Sequence, residues 1–174
     1  MRLFIDMDGV IVDFVEGVRR WYECDDWNPT QWDIDFELLG TTRDEFWESL
    51  NNNSFWLGCP YHKEAMSLIK IFNGYDPNWC ILSSAPMANC FAGKALWIQK
   101  NLPDIYNQGR FYLCRRNKYF LAHPEAVLVD DHEGNYNEWV KYGGKAILVP
   151  RPWNYLKYLE PYLVEYIRSH FIVR

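Results

Sequence analysis

A doubly wound α/β fold, with a small helical cap inserted after the first strand, is the architecture this sequence predicts. Three observations carry the expectation. Short apolar runs at 3–7, 78–84, 110–114, 125–131 and 145–149 read as buried strands. Helical apolar spacing recurs between most of them, and strands joined by helical crossovers form a parallel sheet covered on both faces. Between the first two strands, residues 19–61 are aromatic and irregular, which marks an insertion in an otherwise alternating chain.

In chain order, the strand at 3–7 runs into Asp6 and Asp8. From Asp13, the residues Phe14, Val15, Val18, Trp21 and Tyr22 fit one face of a helix. The stretch 24–40 loses periodicity and gains turn residues. Helical character resumes over 41–50, where Thr42 and Glu45 stand at capping-box spacing, and the "NNNS" of 51–54 breaks it. A helix over 62–73 presents Ala65, Leu68, Ile69 and Phe72 on one face. Further helices are expected at about 89–101 and 135–142. The last segment, 154–171, keeps helical spacing although Pro161 must kink or restart it. The expected organisation is a core of residues 1–18 and 62–174 with a cap of residues 19–61.

Composition excludes several classes of function. The 174 residues suffice for one domain with an inserted subdomain. A net charge of −5 provides no global basic field for a nucleic-acid backbone or an anionic membrane, although Arg115, Arg116, Asn117 and Lys118 form a local basic cluster suited to a small anion. No apolar run reaches the ~20 residues of a membrane span. The acids of "MRLFIDMDG" interrupt any signal-peptide core, so a cytoplasmic protein is expected. Five cysteines without a C-x-x-C suggest neither a disulfide framework nor a zinc cluster.

Chemistry is expected at the carboxyl ends of the strands, where open α/β sheets bind ligands. Asp6 and Asp8 follow the first strand, Ser83 and Ser84 end the second, Lys118 follows the third, and Asp130 and Asp131 end the fourth. Crowded carboxylates repel one another unless a cation neutralises them. Hard oxygens without His or Cys suit Mg²⁺. One aspartate can attack phosphorus. A second, two residues on, can protonate the leaving oxygen. Serine hydroxyls and a lysine can hold the phosphate.

This set resembles the haloacid dehalogenase superfamily, whose phosphatases carry a D-x-D-G-[VT] first motif, here "DMDGV" at 6–10. Ser83 matches the second motif, Lys118 the third, and the acidic pair in "VLVDD" the fourth. The resemblance implies a Rossmann-like fold with Asp6 as nucleophile and metal ligand. It makes Asp8 the acid/base, lending its backbone carbonyl to the metal, and Asp130 and Asp131 further Mg²⁺ ligands. A closer resemblance is to the 5'(3')-deoxyribonucleotidases, through "DMDGVIVDF", "FWLGCPYHKEA" (55–65), "SSAP" (83–86) and "CFAGKALWIQKNL" (90–102). It implies Lys94 as a second phosphate contact, beside Ser84. Two departures stand out. "SSAP" is one residue longer than the family's usual loop, and the spacing from Lys118 to the acidic pair is long, so Arg115 or Arg116 is an alternative to the lysine.

Phe14, Phe55 and Trp56 are candidates for an apolar slot that stacks a nucleobase, against the alternative that they are core. His62, His123, His132 and His170 show no ligand spacing. The expected activity is Mg²⁺-dependent hydrolysis of a small phosphate ester through an aspartyl-phosphate. A deoxynucleoside monophosphate is the leading substrate, with no membrane or extended nucleic-acid partner, and a homodimer left open. The alternatives are another phosphate ester or a nucleic-acid 3'-phosphate end, transfer to an alcohol, and a binding protein without turnover.

Overall fold

The computed structural model describes residues 2–31 and 34–171, so Trp32 and Asp33, within the irregular stretch 24–40, lie outside it. Five strands, β1 (Arg2–Ile5), β2 (Cys80–Ser84), β3 (Phe111–Cys114), β4 (Ala126–Asp130) and β5 (Lys145–Leu148), form one sheet in the order β3-β2-β1-β4-β5. Every pairing is parallel, with Phe4 opposite both Cys80 and Leu128. This is the doubly wound arrangement the sequence predicts. The chain winds outward from β1 to β3, then returns to the other side of β1 for β4. The switch point, where such sheets open a crevice, therefore falls between β1 and β4.

Alternation along the strands divides the core into two layers. Leu3, Ile5, Ile81, Val127 and Val129 face the larger one. Helices α4 (Ala65–Tyr75), α5 (Ala88–Asn101) and α8 (Leu163–His170) supply its Leu68, Phe72, Trp97, Ile98 and Ile167. Phe4, Cys80, Leu82 and Leu128 face the opposite side, where Trp139 of α7 (Glu133–Lys141) covers them. Burying an aromatic or aliphatic side chain of this size contributes roughly 1.5–3 kcal/mol, so both faces hold the sheet.

Between β1 and β2 the chain adds α1 (Phe14–Tyr22), α2 (Arg43–Leu50) and α3 (Asn53–Gly58) before α4. Asp13 caps α1 by accepting from the Glu16 amide. Thr42 and Glu45 make the expected reciprocal capping box on α2. The break at 51–54 is shorter than the sequence indicates, because Asn52 accepts from the Ser54 amide and starts α3 at once. Gly93 of α5 lets α3 approach closely, since a Cβ there would stand 2.7 Å from the Trp56 side chain. A short helix α6 (Pro103–Asn107), begun by Pro103, was not anticipated. At the C-terminal end, Pro161 lies in a 3₁₀ turn (Lys157–Tyr162), and the α-helix restarts at Leu163. No described helix is long and apolar enough to cross a membrane.

Candidate active site

β1 ends one residue before Asp6, whose amide donates to the Val129 carbonyl at 2.8 Å and so ties the loop to β4. The chain then turns tightly. Ile11 and Val12 donate back to the Met7 carbonyl, and the Gly9 amide donates to Val12. Gly9 has φ +69°, and a Cβ there would lie 2.2 Å from Asp131 Oδ2. Only glycine meets both demands. The turn thereby brings the first acidic pair against the second.

Asp6, Asp130 and Asp131 are buried, and each offers an oxygen within 4.8 Å of the others. Lys118 Nζ lies 2.7 Å from both Asp6 Oδ2 and Asp130 Oδ2. Asn135 Nδ2 and the His132 amide also donate to Asp130, and Trp153 Nε1 donates to Asp131 Oδ2 at 2.8 Å. Among the described residues, Asp131 Oδ1 and Asp8 Oδ1 are buried without a hydrogen-bond partner.

Burial raises the Asp6 carboxyl pKa, and Asp130 and Asp8 reinforce this. Lys118 and Lys94 oppose it, leaving the value at about 6. Asp131 is held well above the usual carboxylate range by burial and by its neighbours Asp130 and Asp6. Burial alone would lower the Lys118 pKa, but Asp130 and Asp6 outweigh it and raise it. Lys118 thus pairs with two of the three buried carboxylates, and Asp131 has no ion pair among the described residues. Hard oxygens at this spacing, with Asp131 Oδ1 unpartnered among the described residues, fit a divalent cation.

Lys118 opens a 3₁₀ turn (Lys118–Leu121) that follows Asn117 at φ +64°. That turn carries the lysine inward and leaves Arg115 and Arg116 exposed. The basic cluster of the sequence is therefore divided, and neither arginine stands in for Lys118 at the carboxylates.

Ser83 is fully buried at the end of β2. Its hydroxyl accepts from Lys94 Nζ at 2.9 Å. Lys94 also donates to the Ser84 carbonyl at 2.6 Å and forms an ion pair with Asp8 Oδ2. The Trp56 ring lies 4.7 Å from the same ammonium. An ammonium has three N–H donors, and all three have partners here. Lys94 thereby fixes Asp8 to the end of β2. The Ser84 hydroxyl lies 3.7 Å from Cys114 Sγ across the β2–β3 pair.

Beside Asp8 and Gly9 opens an aromatic cavity of about 120 Å³, walled by Phe14, Trp27, Trp47 and Trp153. Of the three aromatics singled out in the sequence, only Phe14 reaches it. Phe55 and Trp56 are 2% and 1% exposed, and both pack against Phe14 from behind. Both belong to the larger core layer.

Arg151 was not anticipated. It is fully buried just after β5, and its Nε donates to the Gly9 carbonyl at 2.6 Å. Its Nη1 lies 3.8 Å from Glu64 Oε2. Asn154 Nδ2 donates to the Asp131 carbonyl at 2.9 Å. The end of β5 obeys the same rule as the other strand ends, and "VPRPWN" (149–154) was the available signal. Trp27 and Trp47 had no such signal, because they reach the site from the irregular segment.

No protein-family model matches this chain, and no curated protein matches it in sequence. Solved structures do match. A haloacid dehalogenase-like family hydrolase from Streptococcus pneumoniae superposes with a TM-score of 0.52 at 11% identity, covering 84% of this chain and 83% of that one. A HAD hydrolase of family IA, variant 3, from Entamoeba histolytica superposes with a TM-score of 0.51 at 10% identity, covering 96% and 99%. At such identities the shared property is the fold.

Proposed function

We propose that this chain is a phosphomonoester hydrolase of the haloacid dehalogenase superfamily, acting through an aspartyl-phosphate on Asp6. The observation that carries the reading is the cluster of Asp6, Asp130 and Asp131 at the switch point of the sheet, with the buried ammonium of Lys118 paired to the first two. A structural ion-pair network has no need of a third buried carboxylate with an unpartnered oxygen.

In this reading Asp6, Asp130, Asp131 and the Asp8 carbonyl hold Mg²⁺, which supplies positive charge to a bound phosphate. Lys118 directs its ammonium between Asp6 and the phosphate. An Asp6 carboxylate oxygen attacks phosphorus, and the bond from phosphorus to the ester oxygen breaks. Asp8 gives its proton to the departing oxygen, releasing the alcohol. Asp8 then takes a proton from water as that water attacks the phosphoenzyme. Inorganic phosphate leaves and Asp6 is regenerated. Lys94 holds Asp8 in place through both steps, and Ser83 and Ser84 border the phosphate.

Deoxyribonucleotides, 5' or 3', are the leading substrates. The aromatic cavity beside Asp8 supports this, since Phe14, Trp27 and Trp47 offer flat apolar faces to a base. In this reading residues 19–61 act as a cap that supplies two of those faces. Five free thiols suit a reducing, cytoplasmic compartment. The test is phosphate release from a panel of nucleotides and sugar phosphates, with Mg²⁺ and with chelator. Turnover that requires the metal and disappears in Asp6→Asn is expected. Full metal-dependent activity in Asp6→Asn would overturn the nucleophile.

A further inference from the structure

Trp47 has two sides. One walls the aromatic cavity; the other walls an open groove of about 350 Å³ that also meets Arg43, Pro86, Met87, Arg115 and Arg116. The three arginines come from two distant parts of the chain, the first residue of α2 and the loop after β3. All three are exposed, and none makes an ion pair or side-chain hydrogen bond among the described residues. Among the described residues, no carboxylate lines the groove. In a chain with 23 acidic and 18 basic residues, such a cluster left without counter-charge is unexpected.

The groove is also tied to the site. Pro86 and Met87 follow Ser83 and Ser84 after Ala85, whose amide donates to the Cys114 carbonyl at 2.8 Å, one residue before Arg115. The arginines thus flank the same strand ends that carry the candidate phosphate residues. Guanidinium groups match phosphate oxygens in pairs. Three of them beside a site to which Lys118 already brings an ammonium exceed what one phosphate needs.

We propose that this groove is a second phosphate subsite, and that preferred substrates carry a phosphate besides the one hydrolysed. The inference rests on the hydrolase reading above and specifies its substrate class. The second phosphate belongs either to a nucleoside 3',5'-bisphosphate or to the internucleotide link of a short oligonucleotide end.

The test compares kcat/KM for a deoxynucleoside monophosphate, a deoxynucleoside 3',5'-bisphosphate and a terminally phosphorylated dinucleotide. The protein is the wild type and the triple variant Arg43→Gln/Arg115→Gln/Arg116→Gln. A preference of about tenfold or more for a doubly charged substrate is expected, consistent with two or more charge-assisted contacts. The triple variant should lose that preference and keep its kcat/KM on the monophosphate. Preference confined to the bisphosphate identifies the mononucleotide source; preference extending to the dinucleotide identifies the chain end. Equal kcat/KM for all three in the wild type, or an equal loss on all three in the variant, would overturn the subsite. Calorimetric binding of the bisphosphate and the monophosphate to Asp6→Asn gives the same comparison without turnover. If no substrate is hydrolysed but the arginine-dependent binding preference remains, the hydrolase reading fails and the subsite stands.

Discussion

Replacing Lys118 with Met tests the electrostatics at the centre of the site. The ammonium makes two 2.7 Å ion pairs and is 2% exposed, so solvent does not replace it. Breaking a buried pair by removing one partner costs about 3–5 kcal/mol. An independent figure agrees: two ionised carboxylates no more than 4.8 Å apart repel by about 3.5 kcal/mol at an effective dielectric of 20. For a chain of 174 residues, each kcal/mol moves Tm by about 2–4 °C, so the variant should melt about 6–20 °C lower in chelator at pH 8. The sign of the pH dependence follows from Asp6, whose pKa is raised from 3.8 to about 6. The folded state binds the extra proton between these values, so stability falls as pH rises through that window. Without Lys118 the penalty at high pH grows, and the deficit should narrow towards pH 5. Millimolar Mg²⁺ should recover part of it at pH 8. Thermal melts of both proteins, with chelator and with Mg²⁺, read all three effects. A variant that melts within about 2 °C of the wild type in chelator at pH 8 would refute the claim that Lys118 neutralises crowded, ionised carboxylates.

Three further outcomes are expected. Gly9→Ala should destabilise by about 1–2 kcal/mol from its left-handed backbone alone and weaken divalent-cation binding, because its Cβ would displace Asp131; urea denaturation and cation titration measure the two effects. Lys94→Met should lower kcat about 100-fold while leaving the melting profile cooperative, since it frees Asp8 from its position; steady-state kinetics with an unchanged kcat would oppose that role. Burial would raise the Glu64 pKa, but its bond to His62 and the charges of His62 and Arg151 lower it to about 2. Its stabilisation is therefore full above about pH 4.5 and lost as pH falls towards 2, so the Tm difference between wild type and Glu64→Gln should shrink over that range.

Much of the core was legible because strand and helix periods are local properties of the chain. The five strands lie where short apolar runs stood, and polar residues at four of their ends meet at one edge. Helices α3 and α6 were missed for local reasons too, since each is short and is started by a single residue, Asn52 or Pro103. The direction of a side chain is a different matter. Lys94 and Phe14 each lie on an amphipathic segment, and nothing in their spacing says that one pairs with Asp8 while the other faces a cavity.

What the sequence determined by itself is the order of elements and the chemical character of each strand end, because periodicity and turn residues act over a few positions. Tertiary structure decided which of those groups touch. Lys118 and Arg116 are two residues apart, yet the left-handed Asn117 sends one into a buried carboxylate cluster and leaves the other in an open groove. Arg151 and Gly9 are 142 residues apart and share a 2.6 Å hydrogen bond. Contacts of that range depend on how β5 and β1 are ordered in the sheet, which no local pattern records.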